Sequence, residues 1–304
     1  MACLAGVRDS FARAEAVLAE LAGWELDDET IRRLCHAEAG RAAAGRDERA
    51  TAQAFAAAAG DAEVQIDAGK VNTQDGWRDV KVAVFARRER GEPSCAAAWD
   101  QRELPRPSVR SVVAAVEEAS PFGDRCGAEA RRLGLGDPSA LSVLGDGAGW
   151  IWNLSGQQFP GAAEALDVYH GAEHIAAAAK AVLGEGAAAR AQAERGRQRL
   201  LEDGYPGVVE WVGELSGALP AGGDGAALGS LLNYFAGHQG RLNYALRLRR
   251  GQSIGSGLVE GSIKQLLNRR LKQTGARWQR EHVGPFVELG ALADSPEWDG
   301  FWKN

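Results

Sequence analysis

Asp61-Ala62-Glu63-Val64-Gln65-Ile66-Asp67 is where the chain stops reading as helix. Val64 and Ile66 alternate with polar neighbours up to Asp67, the period of a β-strand with one buried face. Asp67 is expected to end that strand. Gly76 closes a turn, and Val80, Val82 and Val84 alternate with Asp79, Lys81 and Ala83, which predicts a second strand and a hairpin. Residues 94–99 are the candidate third strand, before Pro105 and Pro107 break it. Val109, Val112, Val113 and Val116 have helix spacing, and a further helix is expected over 124–133. Leu141-Ser142-Val143-Leu144 reads as a short buried strand that ends on Gly145-Asp146-Gly147-Ala148. Residues 165–169 read as another strand and 170–183 as helix.

Outward from this centre the pattern is helical. Phe11, Ala14, Val17, Leu18 and Leu21 keep helix spacing, and Asp27-Asp28-Glu29 supply the acidic first turn of a second helix. The alanine-rich stretch 42–59 predicts more helix. From 187 to about 250 only helices are expected, interrupted at Gly204-Tyr205-Pro206-Gly207 and at Pro220-Ala221-Gly222-Gly223-Asp224-Gly225. The fold class is therefore α/β. A sheet whose first and fourth strands are neighbours would set Asp67 and Asp146 side by side.

A second stretch completes the argument. Ser253-Ile254-Gly255-Ser256-Gly257-Leu258-Val259-Glu260 is a glycine-rich turn opening a helix. Leu258, Val259, Ile263, Leu266, Leu267 and Leu271 give that helix a buried face. Between Arg241 and Arg280 there are ten Lys or Arg and one carboxylate, Glu260, so the segment carries +10 − 1 = +9. The chain carries −6 overall, which leaves −15 for the rest. Such polarity suits a protein with one face toward nucleic acid. Two plainer readings compete. Glu260 and Lys264, four apart, form an ordinary helical pair worth ~0.2–0.5 kcal/mol. A nucleotide-binding glycine loop is weaker, since no convincing strand leads into Gly255 and no Gly-Lys-Ser/Thr follows.

Composition sets wide bounds. With 304 residues, 45% hydrophobic and 25% charged, the chain reads as a globular protein of one or two domains. No apolar run approaches the ~20 residues of a membrane span. Arg8, Asp9, Arg13 and Glu15 interrupt any signal peptide, so a cytoplasmic location is expected. Cys3, Cys35, Cys95 and Cys126 are widely spaced and are expected as buried free thiols.

Three acids stand at special places: Asp67, Asp146 and Glu260. Carboxylates brought within ~4 Å repel by ~4 kcal/mol per pair at an effective dielectric of about 20, so protons or cations must neutralise them. Hard oxygen ligands suit Mg²⁺ or Mn²⁺. Two such ions ~3.5–4 Å apart activate a water or a 3′-hydroxyl and stabilise the leaving oxygen of a phosphodiester. Lys264, Arg269, Arg270, Lys272 and Arg277 are the candidate phosphate contacts. Trp278 is placed among the DNA-binding residues as a base-stacking candidate, with packing against the sheet as its competing reading. Paired glycosidase carboxylates rank well below, because they leave the basic segment unexplained. His170 and His174 are four apart, but Gly171 stands where a metalloprotease needs Glu, so a structural or DNA-contacting pair is expected.

Four stretches together resemble the DDE transposases of bacterial insertion sequences, closest to the ISKra-type group. They are Asp67-Ala68-Gly69 with Gly76-Trp77-Arg78-Asp79-Val80-Lys81; Gly145-Asp146-Gly147-Ala148 with Trp150-Ile151-Trp152-Asn153; Asp167-Val168-Tyr169-His170 with Glu173-His174; and Gly255-Ser256-Gly257-Leu258-Val259-Glu260 through Lys264, Arg270, Lys272, Gly275 and Trp278. The likeness covers roughly 61–280. It implies a ribonuclease-H-like mixed sheet flanked by helices, with a helical N-terminal region over 1–60. The core would run over 61–185, interrupted by an all-helical insertion over 186–250 and completed over 251–304. It implies Asp67, Asp146 and Glu260 as a catalytic, metal-binding triad for two Mg²⁺ or Mn²⁺ ions, with Asp167 and His170 supporting it. Transposon-end and target DNA are the implied partners, with no membrane; action as a homodimer is common in such enzymes, though no heptad here marks it. The expected activity is strand cleavage at the transposon end and strand transfer. Relatives usually carry further N-terminal sequence, so a shortened, DNA-binding remnant with impaired catalysis is an alternative. A nuclease of the same fold without strand transfer is another.

Overall fold

A computed structural model describes residues 1–48, 50–217 and 225–303. The expected break at 220–224 lies outside the described residues. The N-terminal region folds as α1 (Ala2–Arg8), α2 (Phe11–Ala22), α3 (Asp28–Ala44) and α4 (Thr51–Ala57). Asp27, expected within the acidic first turn, instead stands just before α3 and caps it by accepting from Thr30 N at 2.6 Å.

β1 (Asp61–Thr73) and β2 (Gly76–Arg88) form the expected hairpin, and both are longer than the apolar alternation marked. Asp67 therefore stands inside β1, not at its end. The third strand is β3 (Val109–Ala115), and residues 96–98 form a 3₁₀ turn instead of the strand expected at 94–99. The physical reason is burial: Ser111 to Ala115 are all buried, so the strand lacks the alternation that would distinguish it from helix. Then follow α5 (Ala119–Arg132), β4 (Leu141–Gly145), α6 (Gly149–Gln158), β5 (Ala163–Leu166) and α7 (Val168–Leu183). The stretch between β5 and residue 250 is helical, with α8 (Ala187–Asp203), α9 (Tyr205–Ser216), α10 (Ala226–Ala236) and α11 (Tyr244–Arg249). The chain ends with α12 (Gly257–Ser262), a π-helix over Ile263–Asn268, α13 (Arg280–Ala293) and α14 (Trp298–Phe301).

The sheet order is β3-β2-β1-β4-β5. β1–β2 and β2–β3 are antiparallel, and β1–β4 and β4–β5 are parallel. Both faces are covered, so the molecule is an α/β protein with a five-stranded mixed sheet between helices. On one face Val64, Ile66, Phe85, Val113 and Val143 share a core with α5, α6, α7 and the helices up to α11. On the other, Val71, Val80, Val82, Val84 and Val112 pack with α1, α3, the π-helix and α13. The N-terminal helices thus help complete the second core. Gly69 belongs to this face. A Cβ there would lie 2.8 Å from Leu267 Cδ2 and 3.1 Å from Ile263 Cγ2, so the missing side chain is what lets the π-helix lie against β1. Among the described residues no helix is long and apolar enough to cross a membrane. Cys3, Cys35 and Cys126 are buried free thiols, whereas Cys95 is exposed, against the expectation.

Candidate functional site

Register brings the first two acids together. Ile66 of β1 is opposite Gly145 of β4 in the parallel pair, and Asp67 and Asp146 each follow by one residue. Asp67 is half-buried and accepts from its own neighbour Ala68 N at 2.6 Å. Asp146 turns its Oδ1 onto Ala148 N at 2.9 Å, which shapes the tight turn into α6. Gly147, inside that turn, has φ +102, and a Cβ on it would lie 2.5 Å from the Tyr234 hydroxyl oxygen. Tyr234, from α10 of the helical insertion, donates to Asp146 O at 3.3 Å.

Glu260 arrives on α12 and is exposed. Burial, with the charges of Asp146 and Glu260 beside it, pushes the Asp67 carboxyl up to about 6 against the opposing pull of the Ala68 N–H and His170. The three acids therefore share one electrostatic neighbourhood. None of them is in an ion pair among the described residues. The helical Glu260–Lys264 pair is not formed, and Lys264 projects as an exposed cation.

Asp167 is 2% exposed. Its Oδ1 caps α7 by accepting from His170 N at 2.7 Å, and its Oδ2 accepts from Ser256 N at 2.6 Å. It fastens the glycine turn to the end of β5, aided by Val168 N donating to Ile254 O at 3.0 Å. The Ser256 hydroxyl lies 3.0 Å from Asp167 Oδ2 and 2.9 Å from Glu260 Oε1, so Asp167 connects to Glu260 through one residue. His170 is half-buried, and its ring meets His174 at 5.1 Å, which in turn stacks on Tyr234 at 3.9 Å. That His174 packs on an aromatic ring fits the structural reading of the pair.

Four amides of this stretch are committed inside the protein. Ser256 N is taken by Asp167, Leu258 N and Val259 N by Gln65 Oε1, and Glu260 N by Ser256 O. A phosphate-cradling loop needs such N–H groups free, which weighs against the nucleotide-loop reading.

The basic segment divides in two. Arg249, Arg250, Lys264, Arg269, Lys272 and Arg277 are exposed and unpaired with any carboxylate among the described residues. Arg241 is bound to Glu164 at 2.6 Å, and buried Arg247 donates to Ser253 O at 2.6 Å. Arg270, expected on phosphate, is instead interior at 5% exposure. Its Nε donates to Gly6 O at 2.8 Å, and its guanidinium lies 4.5 Å from the Phe11 ring centre, 5.1 Å from Trp278 and 4.9 Å from Phe286. Burial pulls it down to about 10. Trp278, a base-stacking candidate whose competing reading is packing against the sheet, is interior beside β1, as that competing reading has it. Its Nε1 donates to Leu271 O at 3.1 Å, and its backbone bonds Asn72 O and Gln74 N beside the β1–β2 turn. Leu271, Trp278 and Phe286 make one apolar cluster, and the stem of Arg270 completes it.

The residues missed from sequence are Glu63 and Gln65. Both are polar positions on β1 read as a solvent face, yet they are 5% and 1% exposed. Their only signal was the small-residue turn Gly255-Ser256-Gly257, which fits a close docking partner.

As a donor set, three carboxylates without a compensating cation suit a hard divalent ion. Among the described residues, no three His, Cys, Asp or Glu are gathered so as to hold one metal ion together. No protein-family model matches the chain, and no curated protein matches it.

Proposed function

We propose that this chain is a DDE transposase with a ribonuclease-H-like core, cutting a DNA strand at a transposon end and joining the freed 3′-hydroxyl to target DNA. The observation that carries the reading is the parallel pairing of Ile66 with Gly145, which sets Asp67 and Asp146 one residue beyond neighbouring partners, with no cation paired to either acid or to Glu260 among the described residues. The adjacency of the first and fourth strands, on which the sequence argument depended, supports it.

Asp67, Asp146 and Glu260 are the residues that would hold Mg²⁺ or Mn²⁺. Bound there, the ions would supply activation of a water or 3′-hydroxyl and stabilisation of the leaving oxygen. The chain's own residues do the rest. Asp67 is set inside β1, and Asp146 stands in the turn one residue beyond β4, braced by its own bond to Ala148 N. Asp167 holds the Glu260 turn against β5, and His170 favours the charged form of Asp67. Lys264, Arg269, Lys272 and Arg277, with Arg249 and Arg250, grip phosphates without reading bases.

The test is Asp146→Asn on DNA carrying a candidate transposon end. Mg²⁺-dependent cleavage is lost while binding in EDTA stays within about twofold of the unaltered chain. Retained cleavage sinks the assignment. A pre-cut 3′-end that is never joined points to a nuclease of the same fold. Binding without cleavage in the unaltered chain points to an inactive remnant.

A further inference from the structure

The turn that carries Glu260 docks on a single row of β1. Glu63, Gln65, Asp67 and Gly69 alternate along the strand and share a face. Ser253 Oγ donates to Glu63 Oε2 at 2.6 Å, and the π-helix lies over Gly69. Gln65, between them, uses its whole amide. Nε2 donates to Glu63 Oε1 at 3.2 Å and to Gly255 O at 3.4 Å, and Oε1 accepts from Leu258 N at 2.8 Å and Val259 N at 3.3 Å. The reversed amide would set its NH₂ against two N–H groups, so this orientation is the one the surroundings define.

Leu258 and Val259 lie in the first turn of α12, where a serine N-cap ordinarily satisfies the free N–H groups. Ser256 is the N-cap, and its side chain makes no such bond. Gln65 does the capping from across the fold. The Ser256 hydroxyl is left for the carboxylates of Asp167 and Glu260, at 3.0 and 2.9 Å.

We propose that Gln65 and Ser256 are coupled positioning residues for Glu260: Gln65 caps α12 from β1, which frees the Ser256 hydroxyl to hold the Glu260 carboxylate. The inference rests on the reading of Asp67, Asp146 and Glu260 as metal ligands. Without the Gln65 acceptor, Ser256 turns to cap Leu258 and Val259 and releases Glu260. Loss of either residue is then the same event.

The experiment titrates Mn²⁺ into the full chain, reading free Mn²⁺ by electron paramagnetic resonance, for the unaltered protein, Gln65→Met, Ser256→Ala and the double variant, with thermal melts alongside. Each single variant weakens Mn²⁺ binding about tenfold, within the ~10–100-fold range of groups that orient metal ligands. The double variant is no weaker than the weaker single. Mn²⁺-dependent nicking shifts to higher Mn²⁺ in all three and recovers at saturating Mn²⁺, which a general loss of fold would not produce. Additive losses, or Gln65→Met binding Mn²⁺ as the unaltered chain does, overturn the positioning role and leave the three acids as ligands. If Gln65→Met does not fold, Ser256→Ala decides, and an unchanged Mn²⁺ affinity there overturns the inference. Failure of the unaltered chain to bind Mn²⁺ overturns both this inference and the reading beneath it.

Discussion

Asp67 and Asp146 are neighbours because Ile66 and Gly145 are partners in the parallel pair of β1 and β4. Asp67 lies inside β1, and Asp146 opens the turn that leaves β4. A one-residue slip of β4 would turn Asp146 to the opposite face, so the site inherits its precision from the hydrophobic register of Val64 and Val143.

Burial of Asp67, and secondarily the charge of Asp146, has a cost without a cation. The Asp67 carboxyl titrates at about 6 in the fold, above its ordinary 3.8. Between those values the folded chain holds a proton that the unfolded chain has released, so stability falls as pH rises through this window. Asp67→Asn removes the penalty. The variant melts higher than the unaltered chain at pH 7.5 in EDTA, and the gap closes by pH 4. Melting curves at the two pH values check this; equal midpoints at pH 7.5 refute it.

Arg269 and Arg270 are adjacent in sequence and opposite in role. Arg270→Ala empties a buried aromatic cage and strands Gly6 O, which costs about 2–4 kcal/mol. Arg269→Ala changes stability by less than about 0.5 kcal/mol. It weakens DNA binding and lowers the salt slope of the binding constant by about one. Urea unfolding and binding isotherms at several salt concentrations separate the two.

Trp278→Phe removes the Nε1 bond to Leu271 O and costs about 1 kcal/mol. DNA affinity is unchanged at constant salt. A loss of affinity in the folded variant would put the indole back on the DNA.

Gly69→Val drives a branched side chain into Leu267 and Ile263 and costs about 1–3 kcal/mol. Leu267→Ala in the same chain recovers part of that loss, although alone it is destabilising. A double-mutant cycle on unfolding free energies measures the coupling, and strict additivity would show that the two groups do not meet.

Much of the architecture was legible because its signals are local. The alternation at Val64 and Ile66, the Gly76 turn, the acidic first turn at Asp28 and Glu29 and the run of helices between β5 and residue 250 are each written in a few residues. β3 was not, because covering both faces of a strand erases the polar alternation that marks it. Arg270 was misplaced for a related reason: a basic segment has one average charge, but each of its side chains meets its own surroundings. Gln65 was invisible because a polar residue on a strand looks the same whether water or another element's N–H groups meet it.

The sequence by itself determined which residues carry charge, where the β1–β2 hairpin and the long helical stretches lie, and which acids stand beside apolar runs, since these depend on contacts within a few residues. The tertiary structure decided which acids meet, which cations face outward and which polar groups are sealed inside. Those outcomes depend on strand order and on what covers each face, and they are set only when segments nearly two hundred residues apart, such as Gln65 and Leu258, share hydrogen bonds.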